Sequence, residues 1–192
     1  ISRFRTDGSL YILKKSLYNE LDVATGKTPV LIAPLPEIKE WNGLIDEGCT
    51  PVIPFQDPLN VGSAVRSAAG FGITKMILTS DAANPFNPKS IRASSGAVFE
   101  MEFMRGPSLG EIFSIAEKSR IEILALDKNG RNISEVEFPA RFILIPGIEG
   151  PGLPEIYLDK SVSIPLSDKI ESLNASVALS IFMYEWNKNK LT

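Results

Sequence analysis

The chain contains no histidine and only one cysteine, Cys49, in 192 residues. The first absence removes Ser-His-Asp hydrolases, Cys-His nucleophilic enzymes and His-based zinc sites together. Any proton acceptor must be another group. The second rules out an intramolecular disulfide, and Cys49 stands apart from any cluster with metal-ligand spacing, so it is expected to pack as a small apolar residue. Long hydrophobic runs are missing too. Charges or prolines break every apolar stretch well short of the roughly 20 residues that a membrane span needs, and no secretory segment opens the sequence. A cytoplasmic protein is expected, with no membrane attachment and no metal. A basic excess is also lacking: the net charge is −3, whereas domains whose whole surface clamps nucleic acid are strongly positive. Contact with nucleic acid must then be local. Arg3, Arg5, Lys14, Lys15, Arg66, Arg92 and Arg105 are the candidates, although any one of them alone reads as an ordinary solvated charge.

What is present is enough apolar sequence, 44% of residues, to bury one core, so one domain with at most a small appendage is expected. From about Val52, short apolar runs alternate with amphipathic stretches, the pattern of β-α-β units around a mostly parallel sheet. Strands are expected at Val52–Phe55, Lys75–Thr79, Ile121–Leu126, Phe142–Ile145 and Val162–Pro165. Helices fall between them. Ser63–Phe71 is rich in small residues and ends at Gly72, a C′ glycine. Ser108-Leu109-Gly110-Glu111 reads as a capping box opening a helix through Lys118. The last helix, Leu173–Asn187, carries Leu173, Val177, Ile181 and Tyr184 on one stripe, widened by Ala178, Leu179, Phe182 and Trp186. A helix so broadly apolar is either central or pressed on a partner.

Residues 1–50 differ, because Pro29, Pro34, Pro36 and Gly43 interrupt their short apolar runs. Fewer than about 50 residues seldom hold an independent core. The sequence opens on Ile1 rather than Met. Residues 1–50 are therefore expected either to pack on the main domain or to be the end of a larger substrate-binding domain, with residues 51–192 as the catalytic domain.

Three segments place glycine and polar residues beside a predicted strand end, where ligands bind in open α/β sheets. In Gln56–Gly72 a proline turn leads into a helix starting near Gly62, so backbone N–H groups and the helix dipole face the crevice, with Arg66 one turn on to hold a phosphate. The same residues also suit a plain strand-to-helix turn with a surface arginine. They lack the Lys-Ser/Thr ending of a P-loop and the glycine spacing of a dinucleotide fingerprint. In Ile145–Leu153 three glycines and two prolines shape a loop whose backbone can approach a ligand closely, and Glu149 is its only charge. In Ile164–Val177 a strand leads through a polar loop into the last helix, which Ser172 or Asn174 can cap.

In order, residue type and separation these segments resemble the three signature motifs of the SpoU (TrmH) family of the SPOUT superfamily, over about Val52 to Trp186. Asp57-Pro-Leu-Asn-Val-Gly with Arg66 and Phe71-Gly72 is similar to the first, Gly147-x-Glu149 with Gly152-Leu153 to the second, and Ile164-Pro165 with Ser172-Leu173-Asn174 to the third. The resemblance implies an α/β fold, a parallel sheet flanked by helices whose C-terminal segment forms a trefoil knot, a homodimer, and S-adenosylmethionine-dependent methylation of a ribose 2′-hydroxyl in RNA. Ribosomal RNA is favoured over transfer RNA because residues 1–50 match the tail of an accessory domain. The cofactor is then expected at Gly147, Ile164 and Leu173, with Leu126 beside them. Arg66, Asn60, Glu149, Ser172 and Asn174 become the catalytic candidates. The competing readings are a non-catalytic RNA- or cofactor-binding protein on the same fold and an unrelated phosphate- or nucleotide-binding α/β enzyme. Intact Asn60, Arg66 and Glu149 count against the former, and the missing P-loop lysine against the latter.

Overall fold

The computed structural model describes residues 11–21, 29–30, 32–147 and 155–188. Contacts divide the chain at Leu35/Pro36 into two units. In the first, α1 (Lys15–Leu21) has no buried residue. The second begins at Pro36, so the compact domain starts earlier than the expected boundary at residue 50. The reason is local. Trp41 and Ile45 are buried in the core, and the Trp41 indole N–H reaches the Leu44 carbonyl at 2.7 Å.

Among the described residues seven strands make one sheet, all parallel: β1 (Lys39–Glu40), β2 (Gly48–Ile53), β3 (Lys75–Leu78), β4 (Glu102–Arg105), β5 (Glu122–Asn132), β6 (Arg141–Ile145) and β7 (Ser161–Ser163). Their spatial order is β1-β4-β3-β2-β6-β5-β7. The parallel α/β architecture read from the sequence is thus present. Two strands escaped that reading: β1 is only two residues long, and β4 lies between Gly96 and Gly106 with charged residues at both ends.

Helices α2 (Pro58–Gly70), α3 (Pro88–Ala93) and α5 (Ala175–Asn187) serve one face, and α4 (Leu109–Lys118) the other. Successive strand residues point to opposite faces, and the burial follows that alternation. Ile53, Met76, Leu78, Phe142 and Leu144 pack with Val61, Val65, Ala68, Leu179 and Phe182. Val52, Ile77, Ile143 and Ile145 pack with Trp41, Ile112, Ala116 and Tyr157. A sheet covered on both faces explains why its strands read as nearly continuous apolar runs. Cys49 is buried in β2 as a small core residue.

Local signals set the helix ends. The Asp57 carboxylate accepts from Leu59 N–H at 2.9 Å, and Pro58 occupies the first helical position, where a missing N–H costs nothing. Helix α2 therefore opens four or five residues before the expected start at Gly62–Ser63. Its far end is a Schellman motif: Gly72, at φ +75°, donates to the Ala69 carbonyl at 3.1 Å, and Ile73 donates to that of Ala68 at 2.9 Å. Glu111 accepts from the Ser108 N–H at 3.1 Å, the expected capping box of α4. Asn87 and Pro88 open α3 in the same way as Asp57 and Pro58 open α2, a signal the sequence carried but which strand spacing obscured.

Candidate functional site

β2 is the point where the strand order reverses. The chain leaves it towards β3 and β4 on one side and later returns to β6 on the other. A crevice at the carboxyl ends of the strands on either side of such a point is where open α/β sheets hold ligands.

On the β6 side, three predicted cofactor positions meet. Ala125 of β5 pairs with Ile145 of β6, and Leu126 pairs with Val162 of β7. Gly147 and Ile164, which follow β6 and β7, and Leu126, the last residue of β5 before its register shift, therefore lie at one end of three adjacent strands. At Gly147 an added Cβ would lie 3.1 Å from the Leu126 carbonyl oxygen. A side chain there would crowd that carbonyl, and glycine lets the two strand ends lie close together. β5 also clasps β7: Val162 pairs with Leu126 and, past an irregular stretch, with Arg131, and the Ser163 hydroxyl donates to the Gly130 carbonyl at 2.8 Å. A Cβ on Gly130 would fall 2.4 Å from the Val162 nitrogen, so glycine is required for the clasp to close. Sequence inspection gave no sign of Gly130, because its partner lies on a strand more than 30 residues away.

Asn60 sits in the first turn of α2, not in the preceding loop. Asn174 is the N-cap of α5, which settles the choice between Ser172 and Asn174. The two side chains join: Asn174 Nδ2 donates to Asn60 Oδ1 at 3.1 Å. Further along, Ser180 Oγ donates to Ser67 Oγ at 2.7 Å, and Asn187 Nδ2 to the Phe71 carbonyl at 2.7 Å, so α5 lies along α2. Ser172 is exposed and Leu173 half-buried just ahead of this junction. Arg66 stands apart. Six residues beyond Asn60 on a helix of 3.6 residues per turn, it faces a different direction, and it is exposed, as are Leu59 and Gly70 on the same side. Glu149, Gly152 and Leu153 lie outside the described residues, as do Arg3 and Arg5. Lys14, Lys15 and Arg92 are exposed, and Arg105 is half-buried at the end of β4.

The chain that follows the second motif is anchored from below. Tyr157, in the 3-10 segment Glu155–Lys160, is fully buried against Phe113, with ring centroids 5.4 Å apart, and its hydroxyl donates to the Leu109 carbonyl at the start of α4. Burial raises its pKa to about 12.

This combination, with backbone on one side of the switch point and the amide side chains of two helix starts on the other, is the arrangement in which open α/β sheets hold small organic ligands. The description "SpoU rRNA Methylase family" matches residues 52–184. The chain is 42% identical over 183 residues to a protein of Syntrophobacter fumaroxidans named ribosomal RNA small subunit methyltransferase G 2, covering 94% of this chain and 36% of that one. It is 32% identical to the 23S rRNA (uridine(2479)-2′-O)-methyltransferase of Streptomyces viridochromogenes, over 70% of this chain and 50% of that protein. The crystal structure of the SpoU methyltransferase AviRb from the same organism, in complex with the cofactor AdoMet, superposes with a TM-score of 0.66 at 29% identity, covering 78% of this chain and 60% of the other. The chain belongs to the SpoU rRNA methylase family. It spans between about a third and a half of the length of these curated relatives, so their names describe longer proteins.

Proposed function

We propose that the chain transfers a methyl group from S-adenosylmethionine to a ribose 2′-hydroxyl of RNA, and of ribosomal RNA rather than transfer RNA. The observation that carries this reading is the backbone cradle where Leu126, Gly147 and Ile164 lie at one end of three adjacent strands, beside the Asn60–Asn174 junction. The AdoMet complex of a 29% identical neighbour and the ribosomal substrates in the relatives' names support it.

The residues present suit that cofactor. Backbone carbonyl and N–H groups around Gly147, Leu126, Ile164 and Leu173 would hold the cofactor by hydrogen bonds. When bound, S-adenosylmethionine supplies a methyl group on a positively charged sulfur, and the protein supplies position. The chain's own work is to orient the ribose and to manage the hydroxyl proton. With no histidine available, Arg66 is the natural partner of the reacting oxygen, but a guanidinium stays protonated in proteins. Arg66 therefore binds the RNA phosphate beside the target ribose and stabilises the developing alkoxide, and that phosphate or a water takes the proton. Asn60 and Glu149 orient the ribose, and Ser172 and Asn174 shape the loop between substrate and cofactor.

Arg66 on the outer side of α2 fits a site completed by a second copy. Val177, Ile181 and Tyr184 form an exposed apolar stripe on α5, at 45%, 37% and 53% exposure, while Leu179, Phe182 and Met183 take the core. Such a stripe on a helix beside the site supports a homodimer. The return of the chain from β7, at the sheet edge, to α2 supports the trefoil knot. No helix among the described residues is long and apolar enough to cross a membrane, and we place the protein in the cytoplasm with its RNA.

Calorimetric titration with S-adenosylmethionine tests the cofactor site, with Gly147→Val as the control that fills the cradle. Saturable binding lost in the variant, followed by tritium transfer from labelled cofactor to ribosomal RNA transcripts, is the expected result. Binding without transfer to any RNA would instead identify a cofactor-binding protein, and no binding by the folded chain would refute the reading.

A further inference from the structure

The charge of the chain is unevenly spread. Residues 58–99 carry four cations, Arg66, Lys75, Lys89 and Arg92, against one carboxylate, Asp81, although the whole chain is at −3. Lys75 is neutralised at the start of β3 by Asp46 at 2.7 Å and Glu102 at 3.5 Å. Arg66, Lys89 and Arg92 are exposed, and none of them makes an ion pair among the described residues.

The packing of α3 on α2 sets these three on one outer surface. Ser90 Oγ donates to the Pro58 carbonyl at 2.9 Å, two residues before Asn60, and a Cβ on Gly62 would run into the Ser90 carbonyl oxygen. The two helices therefore lie against each other from their first turns. Arg66, four residues beyond Gly62, is about one turn further along the side of α2 that meets α3. On α3, Ser90, Ile91 and Ser94 turn inward, which leaves Lys89 and Arg92, neighbours at i and i+3, on the outward side. The chain then reverses through two residues in the left-handed region, Ser95 at φ +54° and Gly96 at φ +85°, and buried Val98 pins the 3-10 segment Ala97–Phe99 that follows. Phe99 is left 59% exposed. Its ring stacks on that of buried Phe86, with centroids 5.9 Å apart and planes at 27°, and Phe86 in turn meets Phe103 edge-on. The exposed ring is held in one orientation by the ring beneath it.

We propose that this surface is the track of a single-stranded stretch of the RNA substrate. Lys89 and Arg92 take phosphates next to the one that Arg66 holds, and Phe99 is the platform on which an unpaired base stacks. The inference rests on the reading of the chain as an RNA methyltransferase, and it specifies the substrate as unpaired where it meets α2 and α3. Cations contribute sequence-independent contact with phosphates, which fixes position along the strand. An aromatic face stacks only a base whose own face is free, so it distinguishes a single strand from a helix. A duplex, with its bases stacked on one another, would leave Phe99 without a role, and an apolar protein partner would leave the three cations without one.

Fluorescence anisotropy tests the proposal, with the full chain and a labelled mixed-sequence RNA of about 12 nucleotides, within the usual span of a single-strand site, used alone or annealed to its complement. The single strand is expected to bind at least about fivefold tighter than the duplex. Lys89→Ala and Arg92→Ala are each expected to weaken it and to lower the slope of log affinity against log salt by about 0.7. Phe99→Leu keeps an apolar contact with Phe86 but removes the flat face, so affinity should fall at least about fivefold with the salt slope unchanged. Phe99→Tyr should bind as the wild type does, and so should Lys118→Ala, at the exposed end of α4 on the other face of the sheet. Equal affinity for the duplex, no binding by the wild type, unchanged salt slopes in both cation variants, full affinity in Phe99→Leu, or an equal loss in Lys118→Ala would overturn the proposal. Failure of the methyltransferase reading would show separately, as absence of cofactor binding in a chain that still holds the strand on this surface.

Discussion

Asn174 Nδ2 donates to Asn60 Oδ1 at 3.1 Å, a hydrogen bond between residues 114 apart in sequence. The Asn174 Oδ1 meanwhile accepts from the backbone N–H groups of Ser176 at 2.9 Å and Val177 at 3.3 Å, so the same side chain both starts α5 and ties it to α2. Asn174→Ala loses the cap and is expected to cost about 1 kcal/mol, a fall in melting temperature of roughly 2–4 °C for a domain this size. Asn174→Asp keeps the cap and should melt within a degree or two of the wild type, yet methyl transfer should fall in both. Circular dichroism melts alongside a transfer assay separate the two roles. An aspartate variant with full activity would show that the amide bridge does not matter.

Gly62 is buried in the middle of α2, where α3 crosses. A Cβ there would lie 2.4 Å from the Ser90 carbonyl oxygen and 2.7 Å from the Ala93 Cβ, and Ser90 itself is held by its hydroxyl to the Pro58 carbonyl at 2.9 Å. Neither neighbour is a flexible side-chain end, so Gly62→Ala must part the helices. A loss of about 1–3 kcal/mol is expected in denaturant unfolding. Gly70 has no atom within 4 Å of such a Cβ, and Gly70→Ala should be neutral or slightly stabilising through helix propensity.

Tyr157 gives a pH signature. Its folded-state pKa of about 12 lies above the ordinary tyrosine value of about 10, so the folded chain keeps a proton that the unfolded chain releases. Its contribution is fully present below pH 10 and is lost as the pH rises towards 12. Tyr157→Phe leaves the Leu109 carbonyl without its donor, a cost of about 1 kcal/mol at neutral pH, and flattens the decline in stability between pH 10 and 12. Unfolding at several pH values checks both. An unchanged alkaline slope in the variant would show that the hydroxyl ionises freely.

Arg66 is exposed and makes no ion pair among the described residues. Arg66→Ala should therefore change stability by less than about 0.5 kcal/mol. Methyl transfer should nevertheless fall at least about a hundredfold, the scale of one lost stabiliser of developing charge, with weaker RNA binding and unchanged affinity for S-adenosylmethionine. Full activity with unaltered RNA affinity would refute the phosphate and alkoxide role.

The five strands with apolar runs, the capping box at Ser108 and the C′ glycine at Gly72 were legible because each depends on residues close together in sequence. Family motifs located Asn60, Gly147 and Asn174 for the same reason: each motif is a short string. The start of α2 was misplaced because Pro58 was read as part of a turn ahead of the helix, whereas it is the first helical residue. β1 and β4 were missed because two or four residues with charged ends acquire strand geometry only when a neighbour supplies the hydrogen bonds.

By itself, then, the sequence determined the parallel α/β class, the family and the three motif segments, since alternation, capping and motif spacing act over a few residues. Only the tertiary structure decided which residues meet: Asn60 with Asn174, Gly147 with the Leu126 carbonyl, Gly130 with β7, and Gln56 with Asp81. Those pairings follow from the order of strands in the sheet, and strand order is set by burial of both faces over the whole chain, a quantity no short stretch of residues contains.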